Sequence, residues 1–151
     1  EYKSQNEVLM ELEYTGFIPD TYVQNPQTKM EIYKKIAGVL TTNELDANYS
    51  ELMDRFGPIP DEVHSLLSLA EIRILCRKLN ISSIKERQGK ITLEFAKVSD
   101  ISVEKIIHLI TESAGTVNLD PSKPNILVLN AGKIGLKEKS EFIREKISKI
   151  A

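Results

Sequence analysis

The chain has 151 residues, 41% apolar and 28% charged, with 20 basic against 22 acidic side chains and a net charge of −2. A chain of this size fits one domain or two small subdomains and removes roughly 70% of its unfolded surface from water, with no need of a metal or disulfide staple. The balanced charge argues against a general attraction to nucleic acid or anionic lipid, and the lone Cys76 rules out an internal disulfide.

No apolar run reaches the length of a membrane span and no signal-peptide core is present, so the expected setting is cytoplasmic, with no membrane partner. The polar stretch 1–6 reads as a linker remnant. That leaves 7–151 as one expected domain, mainly helical over about 7–80 and mixed over about 81–151. At its start, Val8, Met10, Leu12 and Tyr14 alternate with Glu7, Leu9, Glu11 and Glu13, the period of a strand with one buried face. Gly16 and Pro19-Asp20 end that strand. Asn25-Pro26 then opens a helix over 27–40, with Met30, Tyr33, Ile36 and Leu40 at helical spacing.

Thr42 is placed to cap the next helix, whose Glu44 and Asp46 suit its positive N-terminal end, and Gly57-Pro58 stops it. At about 100° per residue, Leu45, Tyr49, Leu52 and Phe56 share one face. Glu51, Asp54 and Arg55 share the opposite one. Pro60, Asp61 and Glu62 begin the longest helical pattern, 60–80, which has two apolar stripes. Val63, Leu66, Leu67, Ala70 and Ile74 form the first, and Leu69, Ile72, Cys76 and Leu79 the second. A helix apolar on two sides is expected to be central, and Cys76 reads as a small core hydrophobe.

After Asn80 the period changes. Ile81 to Arg87 and Lys90 to Phe95 flank Gln88-Gly89, the pattern of a hairpin. A helix over 102–114 follows, with Val103, Ile106, Ile107 and Ile110 expected inward and Gly115 past its end. Short strands at 117–119 and 126–129 surround Asp120-Pro121-Ser122-Lys123-Pro124, which reads as a loop. A second loop, 130–135, leads to a last amphipathic helix, 136–151, through Phe142, Ile143, Ile147 and Ile150. The fold class is therefore α+β. A strand and three helices precede a strand-strand-helix-strand-strand-helix half.

No catalytic, cofactor-binding or metal-binding residues are assigned. Neither a Gly-x-x-x-x-Gly-Lys-Ser/Thr loop nor a Gly-x-Gly-x-x-Gly turn is present. His64 and His108 stand on separate helices without a second ligand at useful spacing, and Cys76 has no histidine at i±4. An independent enzyme is not expected.

The most distinctive segment is Glu51-Leu52-Met53-Asp54-Arg55-Phe56-Gly57-Pro58-Ile59-Pro60. Its local reading is an i,i+4 pair between Glu51 and Arg55, worth about 0.3–0.5 kcal/mol when exposed, with Phe56 anchoring the helix end and Gly57 reversing the chain. Two earlier blocks accompany it: Ile18-Pro19-Asp20-Thr21-Tyr22-Val23 and Lys29-Met30-Glu31-Ile32-Tyr33-Lys34-Lys35-Ile36-Ala37. Together the three blocks resemble the C-terminal domain of bacterial transcription-repair coupling factor. That family's pattern is Ile-Pro-x-x-Tyr-Ile, then Arg-Leu-x-x-Tyr-Lys-Arg, then Glu-Leu-x-Asp-Arg-Phe-Gly-x-x-Pro. The match covers Leu12 to Pro60. Lys29, Met30 and Val23 depart from it, standing where arginine, leucine and isoleucine are usual.

The resemblance implies a regulatory, non-catalytic domain at the end of an ATP-driven DNA translocase, with ATP bound only by motor domains that this chain lacks. It further implies docking on the N-terminal repair-like module of the same protein. Such docking masks the surface that binds UvrA and restrains the motor until RNA polymerase is engaged. Glu51, Asp54 and Arg55 are then the expected protein-interaction residues, as an alternative to a purely local ion pair. A second function class is an accessory nucleic-acid-binding module using Lys133, Lys137, Lys139, Arg144, Lys146 and Lys149. Glu138, Glu141 and Glu145 interleave with them, the pattern of a solvated helix face.

Overall fold

In the computed structural model, which describes residues 7–13, 15–97, 101–132, 134 and 136–151, helices and strands follow the expected order. They are β1 (Leu9–Glu11), α1 (Pro26–Ala37), α2 (Thr42–Phe56), α3 (Asp61–Lys78), β2 (Ile81–Arg87), β3 (Lys90–Phe95), α4 (Val103–Glu112), β4 (Val117–Asp120), β5 (Lys123–Asn130) and α5 (Leu136–Lys149). The fold is α+β. It divides into two compact units, a helical one (Tyr14–Ile74) and a sheet-bearing one (Glu1–Glu13 with Leu75–Ala151). The expected linker at 1–6, Tyr14 of the first strand, and Lys133 and Gly135 lie outside the described residues.

The helical unit is built on two capped helices. Asn25 caps α1 through its side-chain oxygen, which accepts from the Gln27 and Thr28 N–H groups, and Pro26 takes the first-turn position where no donor is lost. Thr41, not Thr42, caps α2. Its backbone is extended (φ −131°, ψ 158°) and its Oγ1 accepts from Glu44 N at 3.1 Å, whereas Thr42 is already helical. The Glu44 carboxylate reaches back to Leu40 N at 2.7 Å, satisfying another free donor near the helix start.

Ile32, Ile36 and Val39 are buried, whereas Met30 and Leu40 are exposed, at 57% and 53%. The reason is phase. Met30 lies two positions from Ile32 and so across the helix axis, and α1 ends at Ala37, before Leu40. The core of this unit gathers Ile18, Val23, Ile36, Leu45, Leu52, Val63 and Leu67, with Tyr22, Tyr33, Tyr49 and Phe56 packed against it. Three contacts hold its loops to that core. Ile18 N donates to Tyr33 Oη at 2.8 Å, and Arg73 Nη2 donates to the Ile36 and Val39 carbonyls at 3.3 and 3.1 Å. Gly16 comes so close to α3 that a Cβ there would stand 2.4 Å from Glu62 O and Leu66 N. Both stripes of α3 carry fully buried members, Val63 and Leu67 on one and Ile72 and Cys76 on the other.

The sheet of the second unit runs β1-β2-β3-β5-β4, with β1 parallel to β2 and the other pairs antiparallel. Val8, Met10 and Leu12 are partly buried and their neighbours exposed, the expected alternation, although the strand itself is only Leu9–Glu11. Arg87 pairs with Lys90 across a two-residue turn in which both Gln88 (φ 52°) and Gly89 (φ 80°) are left-handed, as strand twist favours. Register aligns Ile84, Leu93 and Leu127, and beside them Glu86, Ile91 and Leu129. All six are buried. An acid therefore sits in an otherwise apolar row.

Two expectations for this unit need correction. The stretch 120–124 is not a loop: β4 reaches Asp120, β5 starts at Lys123, and only Pro121-Ser122 turn. Asp120 Oδ1 accepts from Ser122 N at 3.0 Å and Ser122 Oγ at 2.8 Å, which closes the turn. Pro124 is tolerated because the β4 register shifts between Leu119 and Asp120 and pairing with β3 ends at Ile126. On α4, Ile106 and Leu109 are buried, but Val103 and Ile107 are 66% and 57% exposed. The apolar arc runs from Leu109 through Ile106 and Ile110 to Val103 and Ile107, and burial falls off along it. The arc is wider than the surface that covers it.

Candidate functional site

The expected interaction residues stand on the last turns of α2, and the rest of the helical unit makes that end rigid. Leu45 and Leu52 are buried, with Tyr49 and Phe56 against the same core. The Tyr22 hydroxyl lies within hydrogen-bond reach of two carbonyls at the helix end, Leu52 O at 3.1 Å and Gly57 O at 2.9 Å. Its ring meets Phe56 at 5.7 Å, and burial pushes the Tyr22 phenol pKa up. Gly57 takes φ 90°, where a side chain would be strained, and returns its N–H to Met53 O at 3.0 Å.

On this support the three charged residues play unlike parts. Glu51 is bound on both oxygens: Oε1 accepts from Lys35 Nζ at 2.8 Å and Oε2 from Arg55 Nη1 at 3.0 Å. The Lys35 hydrogen bond, then that of Arg55, holds the Glu51 carboxyl pKa below its ordinary value. Arg55 lies over the Phe56 ring at 4.8 Å while its Nη1 is held by Glu51. Asp54 is exposed and has no side-chain partner among the described residues. The face therefore presents a fixed cation and a free carboxylate, next to a carboxylate already committed to the fold. Beside Glu51, between α1 and α2, runs a groove of about 400 Å³ lined by Lys34, Lys35, Val39, Glu44, Ala47 and Asn48.

The sequence matches the family described as the TRCF domain over residues 12–106. The chain belongs to the TRCF domain family. It is 38% identical over 144 residues to a transcription-repair-coupling factor of Borreliella burgdorferi, covering 95% of this chain and 13% of that protein. To the transcription-repair-coupling factor of Escherichia coli K12 it is 31% identical over 138 residues, covering 90% of this chain and 12% of that protein. The chain thus spans about an eighth of the length of these curated relatives. A crystal structure of the C-terminal domain of a transcription-repair coupling factor superposes with a TM-score of 0.75 at 25% identity, covering 96% of this chain and 95% of that one.

In this TRCF domain, Lys29, which stands where the family pattern carries arginine, pairs with Asp20. Three lysines of α5 have partners among the described residues. Lys139 pairs with the buried Glu86, Lys149 donates to Glu112 at 2.9 Å, and Lys146 lies 5.3 Å from the Phe142 ring centre. His64 is exposed and its ring meets Tyr49, and His108 pairs with Glu112 at 3.0 Å. Among the described residues no three His, Cys, Asp or Glu side chains gather as a metal cluster. Cys76 is buried and its thiol pKa is pushed up to about 12 by burial, the environment of an inert core residue.

Two features of the TRCF domain lay outside the sequence reading. One is Lys35 as the second partner of Glu51, sixteen positions away and on another helix, for which the sequence carries no local signal. The other is the Glu86–Lys139 pair. Its Lys139 Nζ lies 2.7 Å from Glu86 Oε2, off the hydrogen-bond direction, while Oε1 accepts from Glu13 N at 2.8 Å. Strand alternation puts Glu86 on the face of Ile84, so a buried acid was legible in principle.

Proposed function

We propose that this TRCF domain is a regulatory, non-catalytic protein-interaction module of a cytoplasmic transcription-repair coupling factor. Its own residues bind no cofactor in this reading, and ATP belongs to motor domains elsewhere in the longer protein. The domain docks on the N-terminal repair-like module of the same protein, masks the surface that binds UvrA, and restrains the DNA translocase motor until RNA polymerase is engaged. Release of the contact then admits UvrA for nucleotide excision repair.

The observation that carries this reading is the charge pattern of α2, an Asp54 without a partner among the described residues beside an Arg55 bonded to Glu51. A face bearing both signs gives register and partner discrimination with modest affinity. Modest affinity is what a releasable clamp requires, because a switch must be biased by only a few kcal/mol. The measurement is UvrA binding by the full-length protein carrying Asp54→Arg. Reversal of that charge is expected to unmask the site and strengthen UvrA binding. Unchanged UvrA binding would sink the masking reading.

A further inference from the structure

Glu86 divides its two oxygens between two elements. Oε1 accepts from Glu13 N at 2.8 Å, where the chain leaves β1, and Oε2 lies 2.7 Å from Lys139 Nζ in the first turn of α5. The Glu86 side chain is fully buried, so its charge depends on the lysine beside it. Glu13 returns the contact: its own Oε1 accepts from Gln88 N at 3.1 Å, in the turn that follows β2. The ladder by itself holds β1 weakly. This strand is three residues long, lies at the edge of the sheet and pairs with β2 in parallel, the less stable of the two ladder geometries. Next to Glu86 opens a cleft of about 780 Å³, bounded by Glu13, Gln88, Gly132, Ile134 and Lys139.

We propose that Glu86 is a latch that couples the seating of β1 to the seating of α5, so that release of either element loosens the other. A carboxylate is a rigid plane, and one oxygen cannot change place without moving its twin. Without Lys139 the buried charge has no counterion, and the adjacent cleft gives it water to turn towards. That turn takes Oε1 away from Glu13 N and unfastens the end of β1. In the other direction, loss of the Glu13 N–H removes a charge-assisted hydrogen bond that aims the carboxylate at Lys139. Coupling of this kind is reciprocal, with the same factor in both directions. A released β1 leaves the β2 edge unpaired at Ser83, Ile84 and Lys85, an open edge of the kind that accepts another strand. On the opposite edge of the sheet, Asp120 of β4 closes its own turn with Ser122.

Hydrogen exchange of the 151-residue chain, read amide by amide by NMR, tests this, with β4 as internal control because it is the other edge of the same sheet. Lys139→Met removes the cation and keeps the stem. Glu13 N and the β1 amides are then expected to exchange about tenfold faster or more, and to gain clearly more than β4 does. Met10→Lys, placed on the partly buried face of β1, is expected to speed exchange in the N-terminal half of α5, again beyond any change in β4. If β1 gains no more than β4 in the first variant, or α5 no more than β4 in the second, the two elements are not coupled and the proposal is overturned.

The joint variant Glu86→Leu with Lys139→Met separates a latch from stability alone. No charge is stranded in it, so global stability returns towards that of the native chain, yet Glu13 N has lost its acceptor. β1 is expected to stay about tenfold faster than in the native chain. Met10→Lys added to this background is expected to leave α5 exchange unchanged, because the link between them is gone. A joint variant in which β1 returns to its native rate overturns the proposal, since the pair then acts only through stability. An α5 that still responds to Met10→Lys there overturns it as well, since the coupling then runs by another route. Should Lys139→Met fail to fold, the joint variant decides by itself.

Discussion

Each unit of the chain carries a lysine–carboxylate pair bridging two elements, at nearly the same separation. In the sheet unit Lys139 and Glu86 are 2.7 Å apart with side-chain exposures of 12% and 0%; in the helical unit Lys35 and Glu51 are 2.8 Å apart with 57% and 36%. Distance alone would rank them equal. Solvent separates them. In the first pair both charges have left water, so each needs the other and the loss of either strands a buried ion. In the second, water and salt screen the attraction and either side chain does without its partner at little cost. The buried pair therefore specifies how α5 seats on the sheet, whereas the exposed pair adds little to stability.

The sharpest break of that comparison is removal of one buried partner. Glu86→Ala or Lys139→Ala is expected to destabilise the chain by about 3–5 kcal/mol, the range for breaking a buried pair, read by urea unfolding monitored on the sheet. The joint change Glu86→Leu with Lys139→Met should recover most of that loss, because no unpaired charge is then left inside. Single variants that cost under about 1 kcal/mol would mean that water reaches Glu86 and that the two pairs belong to one class.

The helical unit draws its stability from apolar packing instead. Leu67 is fully buried in its core, and Leu67→Ala should cost about 2–5 kcal/mol, depending on how far Ile36, Leu52 and Val63 relax into the space. A chemical-denaturation midpoint within error of the native chain would remove α3 from the centre of that core.

Smaller again is the effect of Tyr22→Phe. It deletes the hydroxyl that reaches Leu52 O and Gly57 O while keeping the ring against Phe56. The expected loss is about 0.5–1.5 kcal/mol, with faster amide exchange confined to the end of α2. Uniform exchange across the unit would show that the hydroxyl does not anchor the end that bears Asp54 and Arg55.

The same contrast explains what could be read before any coordinates. Element order, the two stripes of α3 and the Gln88-Gly89 turn follow from period and local backbone chemistry, which act over a few residues. Helix phase was legible only to the width of the apolar arc. Val103 and Ile107 are as apolar as Ile106, and only the neighbours α4 receives decide which are covered. The stretch 120–124 reads as a loop by composition, yet Lys123 and Pro124 belong to β5, beside a shifted β4 register that sequence does not reveal. At the site, the three charged residues on α2 follow from their spacing, but the difference between Glu51 and Asp54 does not. It is made by Lys35, a residue of another helix.

The smallest expected effect is also the one that tests whether the exposed pair is a separate class. Lys35→Met should change global stability by no more than about 1 kcal/mol, yet it should move the Glu51 titration measurably. Glu51 titrates below its ordinary value first because of Lys35 and then because of Arg55, so removing Lys35 takes away the larger cause and its pKa should rise. A carboxyl pKa lowered by folding contributes stability that is present above the ordinary glutamate range and lost as pH falls through the lowered value. The native chain should therefore lose slightly more stability on acidification than Lys35→Met, over that window alone. Carboxyl-detected NMR titration reads the shift residue by residue. A Glu51 titration indifferent to Lys35 would leave Arg55 as its effective partner, and the tie from α1 to the end of α2 would be gone.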